Sequence, residues 1–303
     1  MQRRSGEGSY LSPFGGLWTD RRDAPILLDD MLSREEMSVA EHALVAKFIY
    51  DGYVILSGAI SNALISNFFA SMEDLLSGKL ARNMSYWDES GHHYEPVSRQ
   101  HLHKREAKIL DFHWVSEAAE ALIFAPNVRR FLQIVFGQSA LAFQSLYFHV
   151  GSQQGIHQDT AFVPIDGAPL EFVASWIALE DVEPGSGELL YVPKSHRIPD
   201  LTFTKGNKTC PPDDPMLKDY ISIVQNAYER AGLCPKAFLP KKGDVLFWAA
   251  DLAHGGAEIS KENATRRSMV THYCPLGRRP PYALHGKIEP RRTKYGGYVI
   301  AQR

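Results

Sequence analysis

Two different periods of hydrophobic and polar positions run along the chain. Up to about residue 141 the apolar positions recur mostly at helical spacing. Leu64, Ile65, Phe68, Phe69, Met72, Leu75 and Leu76 share one face behind Ser61, a residue type suited to capping a helix N-terminus. Ser116 is placed to cap a helix through Phe124, and Pro126 to open another carrying Val128, Phe131, Leu132 and Val135 before Gly137 stops it. Tyr53, Val54, Ile55 and Leu56 form a short strand pattern ahead of the first of these helices. Residues 52–72 carry no formal charge and are long enough to suggest a membrane span, but recurrent Ser and Asn divide them into that strand and the amphipathic helix.

Downstream the texture changes. Residues 142–150, 171–182, 188–192, 244–249 and 267–273 are short runs rich in aromatic and β-branched residues, bounded by Gly, Pro and Asp. They lie too close together for crossover helices, which predicts an antiparallel β core with helices packed outside it. Residues 1–36 lack a sustained period and read as an N-terminal extension or poorly ordered arm, leaving 37–303 as a single domain. Within it, residues 198–240 interrupt the strands with a helical pattern over 215–231 that aligns Leu217, Tyr220, Ile221, Val224 and Tyr228. A lid and a surface excursion both fit an insertion of that length.

Composition removes several function classes. The 303 residues hold 33 Lys+Arg against 35 Asp+Glu, a net charge of -2 that gives no general attraction for nucleic acid. No apolar run follows the charged N-terminus as a signal peptide requires, and no membrane partner is expected. The 3 Cys form no C-x-x-C pair, which argues against a zinc knuckle or disulfide scaffold and fits a reducing, cytoplasmic setting. The 12 His invite the question of which are ligands. His92, His93, His101, His103 and His113 fall in the part read as helical, without the Cys or spaced carboxylates of a second metal site. The closing segment 277–303 holds seven Lys/Arg and one Glu, which suits an anionic substrate, although such tails are more often merely solvated.

The chemistry-bearing block is His157-Gln158-Asp159. In extended chain, residues two apart point the same way, so His157 and Asp159 can offer an imidazole nitrogen and a carboxylate to one point. That is two thirds of the two-His, one-carboxylate facial triad of non-haem Fe(II), and alone it is weak. A second block strengthens it. A turn and buried strand over 242–248 lead to His254, and twelve residues later Arg266 and Arg267 begin another strand. A guanidinium is suited to hold a carboxylate in bidentate fashion.

In these ordered blocks the sequence resembles the phytanoyl-CoA dioxygenase family of Fe(II)- and 2-oxoglutarate-dependent oxygenases. The match runs from about Ser38 to Pro275. It includes Asp51-Gly52-Tyr53-Val54-Ile55-Leu56, His157-Gln158-Asp159, the Trp176 strand, the Gly-rich turn leading to His196, then His254 and Arg266. The resemblance implies a double-stranded β-helix, the cupin-like jelly roll, with flanking N-terminal helices. It implies Fe(II) on His157, Asp159 and His254, with 2-oxoglutarate and O2 as cosubstrates, and Arg266 on the distal carboxylate of 2-oxoglutarate. Arg267 is the alternate, since strand alternation lets only one of the two face the pocket. Arg266 shares its face with Ser268, Val270 and His272. Lys108, Gln144 and Trp176 are weaker cosubstrate-site candidates.

Related halogenases replace the carboxylate, so its presence at position 159 points to hydroxylation of an unactivated C–H bond in a small molecule, with succinate and CO2 released. Desaturation, cyclisation or epoxidation at the same iron site is the alternative, and a non-catalytic binding protein on the same scaffold is the alternative of another class.

Overall fold

A computed structural model describes residues 9–104, 106–211, 213–280 and 289–300. The chain lays down helices α1 (Ala24–Ser33) and α2 (Val39–Asp51), strand β1 (Tyr53–Leu56), helix α3 (Asn62–Leu76), and strands β2 (Asn83–Asp88), β3 (Gly91–Pro96) and β4 (Lys108–Leu110). Helices α4 (Glu117–Ile123) and α5 (Pro126–Phe136) lead to β5 (Ala140–Phe148), β6 (Val173–Ala178) and β7 (Leu189–Tyr191). Then come α6 (Tyr220–Arg230), β8 (Lys236–Phe238), β9 (Val245–Ala249), β10 (His254–Gly256), β11 (Ser268–Pro275), β12 (Arg291–Arg292) and β13 (Tyr298–Val299).

The helix signals act where they stand. Ser38 accepts from the Glu41 backbone N–H while the Glu41 side chain bonds back to the Ser38 N–H, a reciprocal cap that starts α2. Gly52 ends it at φ 77, where any side chain would collide with the His196 ring. Ser61 caps α3 and Ser116 caps α4.

The strands assemble into a larger sheet ordered β1-β9-β6-β11-β5-β4-β2-β3, with β13 joining β5, and a three-stranded sheet ordered β10-β7-β8. Apart from β13 on β5, the pairings are antiparallel. Alternation then sorts the larger sheet's side chains onto two faces. One face, with Val54, Tyr147, Phe247, Met269 and Tyr273, packs under α2, α3, α4 and α5. The other, with Tyr53, Phe148, Trp176, Trp248 and Val270, meets Leu189, Tyr191 and Phe238 of the smaller sheet. This is the jelly-roll arrangement, and its inter-sheet space contains the site.

Two segments differ from their sequence pattern. Residues 83–110, read as part of a helical region, form β2, β3 and β4, so His92 and His93 stand on a hairpin. Short polar strands gain stability from pairing, here β3 on β2, β2 on β4 and β4 on the distant β5, which local periodicity does not register. Residues 9–36 are packed as more than a loose arm: Leu17 and Leu28 are buried in the helix-side core, and the Trp18 indole donates to the Ile134 carbonyl at 3.1 Å. Residues 1–8 lie outside the described residues. Among the described residues, no helix is long and apolar enough to cross a membrane.

Candidate metal centre

His157, Asp159 and His254 converge between the two sheets, all three buried, with one potential ligand atom from each lying within 4.8 Å of the others. The backbone sets the pair of imidazoles. His157 N–H donates to the His254 carbonyl at 2.8 Å and His254 N–H to the His157 carbonyl at 2.9 Å, a two-residue antiparallel bridge that puts both rings side by side. Gly255 permits it, because the Gln154 carbonyl oxygen and Ile156 Cα pass 2.7 and 2.9 Å from where its Cβ would stand.

Each side chain is fixed from behind. Nδ1 of His157 lies 2.9 Å from the Gly155 carbonyl, and Nδ1 of His254 lies 2.9 Å from the Leu252 carbonyl. A carbonyl only accepts, so both Nδ1 atoms carry the hydrogen and both Nε2 lone pairs face the common point. Asp159 divides its oxygens. Oδ2 accepts from the Trp248 indole at 2.8 Å and stands 3.2 Å from His272 Nε2. Oδ1 is left 3.7 Å from His157 Nε2 and 3.5 Å from His254 Nε2. These two gaps are slightly wider than the spacing of neighbouring donors on one ion.

Electrostatics agree with a cation-seeking site. Burial would raise the Asp159 carboxyl, but the imidazoles of His254, His272 and His157 gathered around it hold it well below the usual range. Burial pushes His254 down to about 4, against the pull of Asp159, which keeps its ring neutral and ligating.

Arg266 lines the same cavity, fully enclosed at 2 % exposure, its guanidinium over the Trp176 and Phe148 rings at 5.3 and 5.4 Å from their centroids. Burial pushes it down to about 10, opposed by Glu188 and Glu180. Its Nε has no hydrogen-bond partner among the described residues, nor do Trp176 Nε1 and Ser268 Oγ, all buried. Unpaired buried donors of this kind are costly unless a polar ligand meets them. Arg267 points the other way: it bonds Glu180 at 2.6 Å and covers the Phe69 ring on the helix side.

The remaining sequence candidates stand at the edge. Gln144 pairs with His272 across β5 and β11, on the pocket face, without lining the cavity. Lys108 is half-buried on β4, its ammonium pushed down by burial against the pull of Glu106, and it too lies outside the cavity lining. Sequence reasoning placed Ser268 and His272 on the face of Arg266 without giving them a role, and it did not mark Trp248. The alternation 266, 268, 270, 272 was the available signal for two of them, while the Trp248 contact depends on a loop folding back over β9.

The insertion packs behind the His157 segment without lining the cavity. α6 brings Ile221 against Gly155 and Tyr220 edge-on to Phe162, whose ring in turn contacts His157. The described cations of the C-terminal segment are engaged in part on the protein itself: Arg278 with Glu171, Arg291 with Glu120, and Lys294 with Glu117. Residues 281–288 and 301–303 of that segment lie outside the described residues.

Comparison with known proteins agrees with this site. A family model described as phytanoyl-CoA dioxygenase (PhyH) matches residues 48–268. No curated protein matches the chain. Among solved structures, the 2-oxoglutarate-dependent carbocyclase SnoK from nogalamycin biosynthesis shares the fold with TM-score 0.61 and 17% identity, over 88% of this chain and 97% of that one. EctD from S. alaskensis with 2-oxoglutarate and 5-hydroxyectoine gives TM-score 0.58 and 18% identity, over 92% and 86%. The epimerase SnoN in complex with Fe3+, 2-oxoglutarate and nogalamycin RO gives 0.57 and 18%, over 79% and 85%.

Proposed function

Since the chain belongs to the phytanoyl-CoA dioxygenase family, and is thus an Fe(II)- and 2-oxoglutarate-dependent oxygenase, we propose that it hydroxylates an unactivated C–H bond of a small molecule. The observation that carries this reading is the convergence of His157 Nε2, Asp159 Oδ1 and His254 Nε2 on one point, with the opposite atom of each side chain already bonded. Bound iron with 2-oxoglutarate and O2 would supply the oxidising power for C–H cleavage, with release of succinate and CO2.

The chain's own residues do the rest. His157, Asp159 and His254 would hold the metal through Nε2, Oδ1 and Nε2. Arg266 takes the distal carboxylate of 2-oxoglutarate, joined by Trp176 Nε1 and by Ser268 Oγ, which lies one alternation further along the same face. Lys108 and Gln144 face the cosubstrate from the rim. The two apolar sheet faces exclude water. Residues 37–303 act as one catalytic unit, and three unpaired cysteines suit a reducing, cytoplasmic setting.

The test is an assay with Fe(II), 2-oxoglutarate, O2 and a panel of small molecules, following succinate and product mass. Gain of one oxygen atom is expected, and His157→Ala or His254→Ala should abolish turnover. Undiminished turnover in both variants would sink the metal assignment. The carbocyclase and epimerase among the structural neighbours motivate a second reading, in which the same site removes hydrogen without inserting oxygen. A product lighter by two hydrogens, or isomeric with its substrate, would select it. Succinate formation excludes a purely binding role.

A further inference from the structure

The cavity at the triad holds only about 60 Å³, against the several hundred typical of small-molecule sites. With the metal and 2-oxoglutarate inside, the substrate must lie largely at the rim. Among the described residues the fold leaves one rim open. The inter-sheet core takes residues from β1, β5, β6, β9 and β11, but none from β2, β3 or β4, so the larger sheet runs on past its cover.

What that uncovered face presents follows from register. Ile109 pairs with Tyr147 and Leu110 with Leu146, and one step further the antiparallel ladder sets Lys108 beside Phe148. Lys108 pairs with Trp87, and Trp87 with His92. Tyr86, Ile109 and Tyr147 are buried on the helix side, so their alternates Trp87, Lys108 and Leu110 share the face of Leu146 and Phe148, which line the cavity. At about 4.8 Å per strand, Trp87 stands about 10 Å from Phe148 along one cross-strand row. Tyr94, paired with Ser85, is on the same face. These large aromatics are bare: Trp87 is 43 % and Tyr94 63 % exposed, with the His92 ring 5.5 Å from that of Trp87.

We propose that this aromatic shelf is the substrate subsite, and that the substrate is a flat, conjugated ring system stacked on Trp87 and Tyr94 with its reacting carbon directed over Phe148 toward the metal. Exposed ring faces favour a planar π-surface over a saturated one of equal bulk. The proposal rests on the oxygenase reading above and fixes which substrates that oxygenase takes.

The test uses 2-naphthol and its fully saturated counterpart decahydro-2-naphthol, matched in shape class but not in planarity. Equilibrium dialysis is run against the full chain loaded with Fe(II) and 2-oxoglutarate without oxygen. 2-Naphthol should bind at least several-fold more tightly than the saturated alcohol. Trp87→Ala should weaken 2-naphthol roughly tenfold, Trp87→Phe should recover most of that, and neither should alter the saturated alcohol. Equal binding of the two alcohols to the unaltered protein, or a Trp87→Ala/Tyr94→Ala variant that still prefers 2-naphthol, would overturn the proposal. 2-Oxoglutarate binding is measured in the same series. If Trp87→Ala loses 2-oxoglutarate together with 2-naphthol, Trp87 belongs to the metal pocket and the proposal also fails. If the unaltered protein binds no 2-oxoglutarate with metal, the failure is of the oxygenase reading instead.

Discussion

At the scale of single residues, neighbours in sequence have opposite surroundings. Arg266 is sealed between two aromatic rings with an unpartnered Nε, while Arg267 is satisfied by Glu180 on the other side of the strand. Arg266→Ala should therefore raise the apparent KM for 2-oxoglutarate at least tenfold, with Arg267→Ala near the unaltered value. The reverse pattern in steady-state kinetics would exchange their roles. Asp111 offers a prediction about pH. Burial raises its carboxyl from the ordinary 3.8 to about 7, against the hydrogen bond it accepts from the Ser145 N–H at 2.8 Å. Below pH 4 both folded and unfolded forms are protonated. As pH rises from about 4 to about 7, the unfolded chain has lost a proton that the folded form still holds, so stability declines across that window and levels off above it. Asp111→Asn keeps the acceptor and tolerates φ 55. Urea denaturation should show it flattening the decline by up to about 4 kcal/mol. Identical pH profiles would count against a buried, titrating Asp111.

At the scale of elements, the insertion is fastened by a buried ion pair. Lys208, 3 % exposed, bonds Asp251 at 2.6 Å and Asp200 at 2.9 Å. Asp251 in turn accepts from the Thr160 hydroxyl at 2.9 Å, and its carbonyl accepts from the Gln158 side chain at 2.7 Å, so the fastening reaches both sides of Asp159. Lys208→Met leaves a carboxylate buried and unpaired, which should cost roughly 3–5 kcal/mol and weaken metal binding. Adding Asp251→Asn should restore most of the stability, and a double variant no better than the single one would break the argument. This coupling was illegible in the sequence, since it joins residues about forty positions apart through tertiary contact. The strands of the barrel were legible because, buried on both faces, they are short runs rich in aromatic and β-branched residues that end at Gly, Pro or Asp. His157, Asp159 and His254 were legible because chemistry constrains residue type as well as spacing. β2, β3 and β4 were not, since β4 is held by the distant β5 and the β2–β3 hairpin is held by β4.

At the scale of the whole molecule, two apolar cores lie on opposite faces of one sheet and serve different ends. The inter-sheet core encloses the triad, and the helix-side core supports the sheet from behind. The N-terminal arm belongs to the second. Leu17 and Thr19 are buried beside α2, and the arm closes a cavity of about 240 Å³ shared with Phe48, Phe172 and Asp251, which contains none of the three converging ligands. Ser12 bonds Asp200 across that cavity at 3.0 Å, so the arm also meets the carboxylate that helps hold Lys208. Removing residues 1–23 should thus lower Tm by several degrees through lost burial of Leu17 and Trp18. Metal and 2-oxoglutarate affinities, measured well below that Tm, should change less than threefold, because Lys208 keeps its bond to Asp251. A truncated chain that melts as the full one does would mean the arm contributes no packing. A truncated chain that stays folded yet loses metal would mean that the two cores are coupled through Asp200.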